Sequence, residues 1–98
     1  MAAIEKLSDA QVQEVLKSLQ GWELQGGVIT KLYKFSDFKE ALAFVNRVAE
    51  LAESQDHHPD ILIQYSKVRL TLSTHSAQGL TEKDSLLAQA IDSSRKPA

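Results

Sequence analysis

One long apolar repeat constrains the fold more than any other part of the sequence. Between Phe38 and Ala52 the apolar residues recur at steps of three and four, which predicts an amphipathic helix. Asp37 precedes the repeat as a helix N-cap, and Pro59 requires the helix to end at or before His58. The helix therefore presents one broad apolar side to the rest of the chain. The expected buried stripe consists of Phe38, Ala41, Leu42, Val45, Val48, Ala49 and Ala52.

Two further helices are predicted from their caps and their apolar spacing. Ser8 and Gln11 form a capping box, and Gly21 suits the C-terminal end of the helix that follows. The stripe of this first helix consists of Val12, Val15, Leu16 and Leu19. Later in the chain, the stretch from Thr81 to Asp84 resembles a second N-terminal cap. The stripe of this last helix consists of Leu86, Leu87, Ala90 and Ile91.

Four short segments have the composition of β-strands and form two predicted hairpins. The first pair, 22–25 and 28–35, is joined by Gly26 and Gly27, whose positive φ angles suit a tight turn. The second pair, 61–65 and 68–73, is joined by Ser66 and Lys67. The element order is therefore α-β-β-α-β-β-α. We expect one α+β domain over residues 1–98, with an antiparallel sheet carrying the helices on one face and a frayed tail at 93–98.

The composition excludes several classes of protein. The 98-residue chain has a formal net charge of −2 with acidic and basic residues interspersed, which argues against direct binding to nucleic acid. It contains no cysteine, so disulfides and thiolate catalysis are excluded. The sequence shows neither a signal peptide nor a membrane-spanning run. We therefore expect a soluble, cytoplasmic protein with no membrane contact.

The second hairpin is expected to bring all three histidines of the sequence to one point. His57 and His58 precede the third strand, and His75 follows the fourth. If 66–67 forms a two-residue turn, His58 lies opposite His75, where paired Cα atoms are about 4.5–5.5 Å apart. Histidine gives or takes a proton near neutral pH, and carboxylates surround the adjacent pair. The arrangement therefore favours proton-transfer chemistry.

Two carboxylates are expected to serve the histidines. Glu53 lies four residues before His57, so it shares a helical face with that residue and can orient its imidazole. Asp84 lies in the first turn of the last helix, where the helix dipole stabilises negative charge, and this helix closely follows His75. The alternative for Asp84 is a purely capping role.

Other interpretations of these residues stay open at this point. An adjacent pair such as His57–His58 is also typical of a helix C-terminus, where imidazoles interact with the negative end of the dipole. Three histidines and a carboxylate can bind zinc, although the spacing differs from the His-x3-His of a helical zinc site. Nucleophilic catalysis has little support, because no serine lies in a nucleophile elbow. Trp22 is either a core residue or an aromatic wall for a flat ligand.

Several spacings taken together resemble a known signature, that of the pterin-4a-carbinolamine dehydratases. The resemblance extends over nearly the whole chain, and its motif is Glu53-x3-His57-His58-Pro59-x5-Tyr65-x9-His75-x8-Asp84. It implies an α+β fold with a four-stranded antiparallel sheet and three helices on one face. It also implies a hydro-lyase that dehydrates 4a-hydroxytetrahydropterin to quinonoid dihydropterin in tetrahydrobiopterin recycling. The pterin is the substrate, and no metal or other cofactor is implied.

The resemblance also assigns roles to individual residues. It implies that His57 and His75 transfer protons at the 4a-hydroxyl and N5 of the pterin and that His58 assists, with acid and base not distinguished. Glu53 would orient His57, and Asp84 would support the His75 side. The implied substrate-binding residues are Trp22, Asp56, Pro59, Ser73, Thr74, Ser76 and Ala77.

Association with other chains is implied as well. Family members are dimers or tetramers, so we expect a homodimer or homotetramer that uses an exposed strand edge or the stripe of Phe44 and Leu51. The alternative for this stripe is additional core. A functional link to an aromatic amino acid hydroxylase is implied. Two other roles stay open: a non-catalytic dimerisation cofactor of the transcriptional-coactivator type, and pterin handling in another pathway such as molybdopterin-related metabolism.

Overall fold

The computed structural model describes residues 5–94 and confirms the predicted class and element order. In chain order the elements are α1 (Asp9–Lys17), β1 (Glu23–Gln25), β2 (Val28–Lys34), α2 (Phe38–Gln55), β3 (Asp60–Gln64), β4 (Lys67–Leu72), a 3₁₀ turn (His75–Ala77) and α3 (Glu82–Ser94). The four strands form one antiparallel sheet in the order β1-β2-β4-β3. Within this described part of the chain, no helix has the length and apolarity that a membrane crossing requires.

All three helices pack against one face of the sheet. Strand β2 contributes Ile29 and Tyr33 to this face, which sequence alternation alone did not identify as the inner one. Their partners across the β2–β4 ladder are buried too, because directly opposed residues share a face. The buried residues of β4 are Val68, Leu70 and Leu72, as predicted. The helices close the same core with Val12, Ala41, Phe44, Val48, Leu87, Ala88 and Ile91.

The buried side of α2 differs in part from the predicted stripe. Phe44 is fully buried and stacks on Tyr33, with ring centroids 4.7 Å apart, so it is a core residue rather than part of an association surface. Phe38 and Leu42 are instead 45% and 37% exposed. The apolar arc is broader than the contact with the sheet, so spacing alone could not select the buried side. The buried residues are Ala41, Phe44, Val48 and Ala52, with Leu51 partly buried beside them.

The outer helices follow their predicted caps more closely than their predicted ends. The Ser8 capping box is present in α1, but this helix ends at Lys17, and shorter 3₁₀-type bonds carry the chain on to Gly21. In α3, Leu86 is 50% exposed, so it does not belong to the buried stripe that was predicted for it. The tail that was expected to fray at 93–98 is helical as far as Ser94, and residues 95–98 lie outside the described part.

The first hairpin has the predicted turn, and the second does not. Gln25 pairs with Val28 across Gly26 and Gly27, whose φ angles are +56° and +84°. In the second hairpin the two turn residues are Tyr65 and Ser66, so the predicted turn at Ser66–Lys67 is wrong by one position. Tyr65 adopts a φ of +54°, a left-handed conformation that is uncommon for an aromatic residue.

This shift changes the register of the whole second hairpin. Its strand pairing runs from the turn to Asp60, which is opposite Thr71. The predicted pairing of His58 with His75 is therefore wrong, because a one-position move of the turn displaces opposed residues by two. The loops beyond both strands still leave the same end of the sheet, and they bring the histidines together without a ladder contact.

Candidate active site

The loop after α2 turns His57 inward. Asp56 caps the helix in the left-handed conformation, with φ 49° and ψ 46°, and donates its N–H to the carbonyls of Ala52 and Glu53. The N–H of His57 also bonds to the Ala52 carbonyl at 3.0 Å, which is the long bond of a Schellman-type helix end. The chain direction therefore reverses at Asp56, and the next residue faces the core rather than continuing the helix.

His57 is held by Asp84. Its Nε2 lies 2.6 Å from Asp84 Oδ1, and the two residues are only 8% and 1% exposed. The other carboxylate oxygen, Oδ2, accepts hydrogen bonds from the Thr74 hydroxyl at 2.8 Å and from the Thr81 N–H at 2.9 Å. Asp84 therefore caps α3 and orients an imidazole at the same time, whereas the expected support of His75 by Asp84 is not what the structure shows.

His58 takes the partner that was predicted for His57. Its Nε2 lies 2.5 Å from Glu53 Oε2, and both side chains are exposed. The helical rule that pairs residues four apart fails here, because Asp56 leaves the helical conformation before His57 is reached. The expected orientation of His57 by Glu53 is therefore corrected to an orientation of His58.

His75 lies on the opposite loop, at the start of the 3₁₀ turn His75–Ala77. The loop is closed at its base by backbone hydrogen bonds between Thr74 and Gly79, of which the Thr74 N–H bond is 2.8 Å long. The His75 side chain is exposed at the rim. His75 also borders a second open cavity of about 340 Å³ toward the Gly26–Gly27 turn.

The three imidazoles meet at one open cavity of about 320 Å³. Thr74 lines this cavity and its hydroxyl donates to Asp84, while its expected role in substrate binding stays a prediction. Asp84 lies behind His57, and Glu53 lies beside His58, outside the lining. The lining residues are Asp56, His57, His58, Ser73, Thr74, His75, Ser76 and Lys83.

Three of the predicted substrate-binding residues are not brought to this cavity, namely Pro59, Ala77 and Trp22. Trp22 is 5% exposed and belongs to the core, where its ring meets Tyr33 edge-on and its indole N–H donates to Asp92 at 3.1 Å. The expected aromatic wall is therefore a core residue. A buried indole needs a hydrogen-bond acceptor for its N–H. The sequence did not indicate that Asp92, seventy positions away, is that acceptor.

Two residues of the site were missed by sequence reasoning. Lys83 contributes a cation to the lining from the first turn of α3. Thr81, fully buried, completes the support of Asp84. Both belong to the cap of the last helix, and the closeness of that cap to His75 in the sequence was the available signal. Among residues 5–94, no group of three or more histidines and carboxylates is placed to hold a metal ion.

Comparison with known proteins identifies the family. The family model described as pterin 4 alpha carbinolamine dehydratase matches residues 5–94. The chain belongs to this family. A Thermomicrobium roseum relative named "Putative pterin-4-alpha-carbinolamine dehydratase" is 51% identical over 86 residues, which cover 88% of this chain and 92% of the relative. A Sulfurisphaera tokodaii relative with the same name is 46% identical, covering 91% of this chain and 96% of its own.

Two solved structures have the same fold as this family member. A transcriptional coactivator/pterin dehydratase from Brucella melitensis superposes with a TM-score of 0.87 at 37% identity, covering 91% of this chain and 97% of its own. A pterin dehydratase-like protein identified as a RuBisCO assembly factor in the alpha-carboxysome has a TM-score of 0.68 at 23% identity, covering 81% and 94%. At that identity the second likeness establishes the fold alone.

Proposed function

We propose that this chain dehydrates 4a-hydroxytetrahydropterin to quinonoid dihydropterin and water by histidine acid/base catalysis. The observation that carries the proposal is the convergence of three imidazoles from two loops on one cavity of about 320 Å³. That volume lies at the lower end of the usual range for ligand pockets, about 300–1,000 Å³, and suits a bicyclic ring. Membership of a family of pterin dehydratases supports both the substrate class and the reaction type.

The reaction requires one proton to be delivered and one to be removed. The 4a-hydroxyl is a poor leaving group, so it must be protonated before the C4a–O bond breaks and water departs. The proton on N5 is lost, and the electron pair released forms the double bond between N5 and C4a. An imidazolium can supply the first proton and a neutral imidazole can accept the second, so two histidines suffice. The pterin is the substrate, and the proposal uses no metal or organic cofactor.

The different surroundings of the histidines support different roles. His57 is buried and fixed in direction by Asp84, as a positioned proton-transfer group must be. His75 is exposed at the rim and can exchange protons with solvent between turnovers. We assign the two proton transfers to this pair and an assisting role to His58, which Glu53 orients. The other polar lining residues available to the pterin ring are Asp56, Ser73, Ser76 and Lys83.

The test is a stopped-flow assay with freshly generated 4a-hydroxytetrahydropterin. The protein should speed its loss above the buffer rate, and His75→Ala should lower that gain by about 100-fold, the usual contribution of a positioned acid or base. His57→Ala should have a similar effect, with folding checked by circular dichroism because it removes the partner of the buried Asp84 Oδ1. Lys17→Ala, exposed on α1, is the control. Unchanged rates in both histidine variants, or no acceleration by the wild-type protein, would refute the assignment.

The physiological setting we propose is tetrahydrobiopterin recycling in the cytoplasm, beside an aromatic amino acid hydroxylase. The product, quinonoid dihydropterin, must be reduced before the pterin can serve again, so a reductase has to follow this step. An assay that couples the hydroxylase, this protein and a dihydropteridine reductase should show less accumulated carbinolamine than the same mixture with His75→Ala. Equal accumulation in the two mixtures would argue against the recycling role.

We also propose that the chain forms a homodimer or homotetramer through the open edge of its sheet. Among residues 5–94, strand β3 pairs only with β4, so within this range its other edge carries unpaired backbone groups. Every residue of β3 is exposed, and its apolar side chains Ile61, Leu62 and Ile63 are 36%, 51% and 36% exposed. A second β3 running antiparallel would satisfy these backbone groups and cover the apolar side chains.

A second candidate function is a non-catalytic, partner-binding role. The exposed apolar edge of β3 favours it, and so does the likeness to the Brucella protein named transcriptional coactivator/pterin dehydratase. The assay with the carbinolamine separates the two candidates. A wild-type protein that forms a stoichiometric complex with a second protein but leaves the dehydration rate at the buffer value would favour the partner role.

A further inference from the structure

We propose that Thr74 and Thr81 are positioning residues that fix the orientation and the tautomer of His57 through Asp84. The inference rests on the proposed dehydration for its catalytic meaning, whereas its structural content can be tested without any activity. Both hydroxyls are buried, with Thr74 6% and Thr81 0% exposed. Neither residue touches the reacting atoms in the assignment above, so any effect must pass through the carboxylate.

The four residues form one continuous buried network. Asp84 Oδ2 accepts from the Thr74 hydroxyl at 2.8 Å and from the Thr81 N–H at 2.9 Å. The two threonine hydroxyls lie 2.8 Å apart, and the Thr81 hydroxyl also accepts the N–H of Lys83 at 3.2 Å. The remaining carboxylate oxygen, Oδ1, faces His57 Nε2 at 2.6 Å. Every contact of the carboxylate is thus with a group that can donate.

The proton order in this network follows from the number of hydrogens available. An ionised carboxylate only accepts, and each hydroxyl has one proton to give. Thr74 therefore donates to Asp84, so the proton between the two threonines must come from Thr81. Thr81 in turn accepts from the backbone of Lys83. Each hydroxyl therefore donates its proton toward the carboxylate, and neither hydroxyl has a second proton with which to form a different arrangement.

This order determines which nitrogen of His57 carries the proton in the neutral ring. Asp84 has no hydrogen to donate, so Nε2 must hold one and Nδ1 must hold the lone pair. No buried side-chain nitrogen or oxygen lacks a hydrogen-bond partner in the described part of the chain. No described residue bonds to Nδ1, so Nδ1 is not sealed from solvent, and the ring that carries it lines the cavity. His57 therefore offers its basic nitrogen to a ligand.

Threonine suits this task better than serine or valine. The β-branch restricts χ1 and keeps the hydroxyl in place, whereas valine has the same shape without the hydroxyl. Thr74 has a second connection, because its backbone bonds to Gly79 close the loop that carries His75. Thr74 therefore stabilises the loop that carries His75 and, through Asp84, the orientation of the His57 imidazole.

The experiment uses the full-length protein labelled with ¹⁵N at histidine. Long-range ¹H–¹⁵N spectra should show neutral wild-type His57 with Nε2 protonated and Nδ1 unprotonated. Thr74→Val and Thr81→Val should give a mixed tautomer and a kcat lower by about 10- to 100-fold with KM changed less than about 3-fold, because misplacement by 1 Å can cost 100-fold. Thr74→Ser and Thr81→Ser should restore most of both readouts. Thr30→Val, which removes another buried hydroxyl away from the cavity, is the matched control.

Several results would overturn the inference. A spectrum of the wild-type protein that places the proton of neutral His57 on Nδ1 would overturn it. This result needs no variant, so it counts even if the valine variants fail to fold. Folded valine variants with wild-type spectra and kcat would also do so. A loss of kcat in Thr30→Val equal to theirs would show a general effect of removing a buried hydroxyl. If the wild-type protein has no dehydratase activity but shows the predicted tautomer, the positioning network stands and the proposed function fails.

Discussion

At the scale of single residues, two adjacent histidines have opposite surroundings because of one backbone conformation. The left-handed Asp56 ends α2 and turns His57 into the core against Asp84, while His58 stays at the surface beside Glu53. A carboxylate in a buried pair is hard to replace, since its partner is left without water or a substitute. An exposed pair is screened by solvent and contributes little.

The two carboxylates should therefore differ in their effect on catalysis. Asp84→Asn supplies an amide N–H₂ where every neighbour is a donor, so the His57 tautomer should be lost and kcat should fall by about 100-fold or more. Glu53→Gln should lower kcat by less than about 10-fold. Steady-state kinetics of the two variants, matched in size and charge change, makes the comparison. A larger loss in the Glu53 variant would restore the partner assignment that the spacing predicts.

At this scale the sequence predicted which histidines form the site, but it did not predict which carboxylate pairs with each of them. His57, His58 and His75 were expected to converge because both loops leave one end of a hairpin, and they do line one cavity. Pairing with carboxylates depends on the conformation of Asp56, which no spacing rule gives. Trp22 shows the same limit, since its partner Asp92 is on a distant helix.

At the scale of elements, α3 is joined to the sheet by a second polar cluster. Asp92 accepts hydrogen bonds from Trp22 Nε1 and from Lys31 Nζ, 3.1 Å and 2.9 Å away, and from the hydroxyl of Tyr33. The Lys31 ammonium also lies 4.8 Å from the centre of the Tyr33 ring. These contacts explain why a lysine is tolerated on the inner face of β2 between two buried residues.

Removing the carboxylate should destabilise the fold and leave the chemistry intact. Asp92→Ala removes an acceptor that Trp22, Lys31 and Tyr33 share, although Lys31 keeps its bond to the Gln20 carbonyl. We expect the free energy of unfolding to fall by about 2–3 kcal/mol. Urea denaturation measures the change, and the dehydration rate of the folded variant should stay within about twofold of the wild type. Glu14→Ala, which removes an exposed ion pair with Lys17, should cost less than about 1 kcal/mol. Equal losses in the two variants would contradict this account of Asp92.

The order and type of the elements were predictable from caps, glycine turns and apolar periodicity. The register of the second hairpin was not, because its turn uses Tyr65 with a φ of +54° instead of a residue that favours this conformation. The buried side of α2 was predicted only in part, since Phe38 and Leu42 match the periodicity as well as Phe44 does. In both cases tertiary packing selected among local patterns of similar strength.

At the scale of the whole molecule, helices cover one face of the sheet, and no other described residue pairs with the outer edge of β3. An exposed apolar edge strand promotes pairing with another chain unless something covers it. The histidine cavity lies at the start of the same strand, so an assembly through this edge would leave the cavities of the two copies on one continuous sheet.

The oligomeric state should therefore depend on β3. Leu62→Lys places a charge on an exposed apolar position of this strand and should lower the weight-average mass measured by sedimentation toward that of one chain. Leu86→Lys changes a similarly exposed leucine of α3 and should have no such effect. If the Leu86 variant dissociates and the Leu62 variant does not, the association surface lies on the helices instead.

The central claim is that His57, His58 and His75 form one site for one pterin ring. A titration of ¹⁵N-labelled protein with an oxidised, unreactive pterin tests it most directly. We predict that the imidazole resonances of all three histidines shift with a single dissociation constant. The indole N–H of Trp22, held by Asp92, should stay unchanged. A titration that moves the Trp22 resonance while the histidines stay in place would contradict the account.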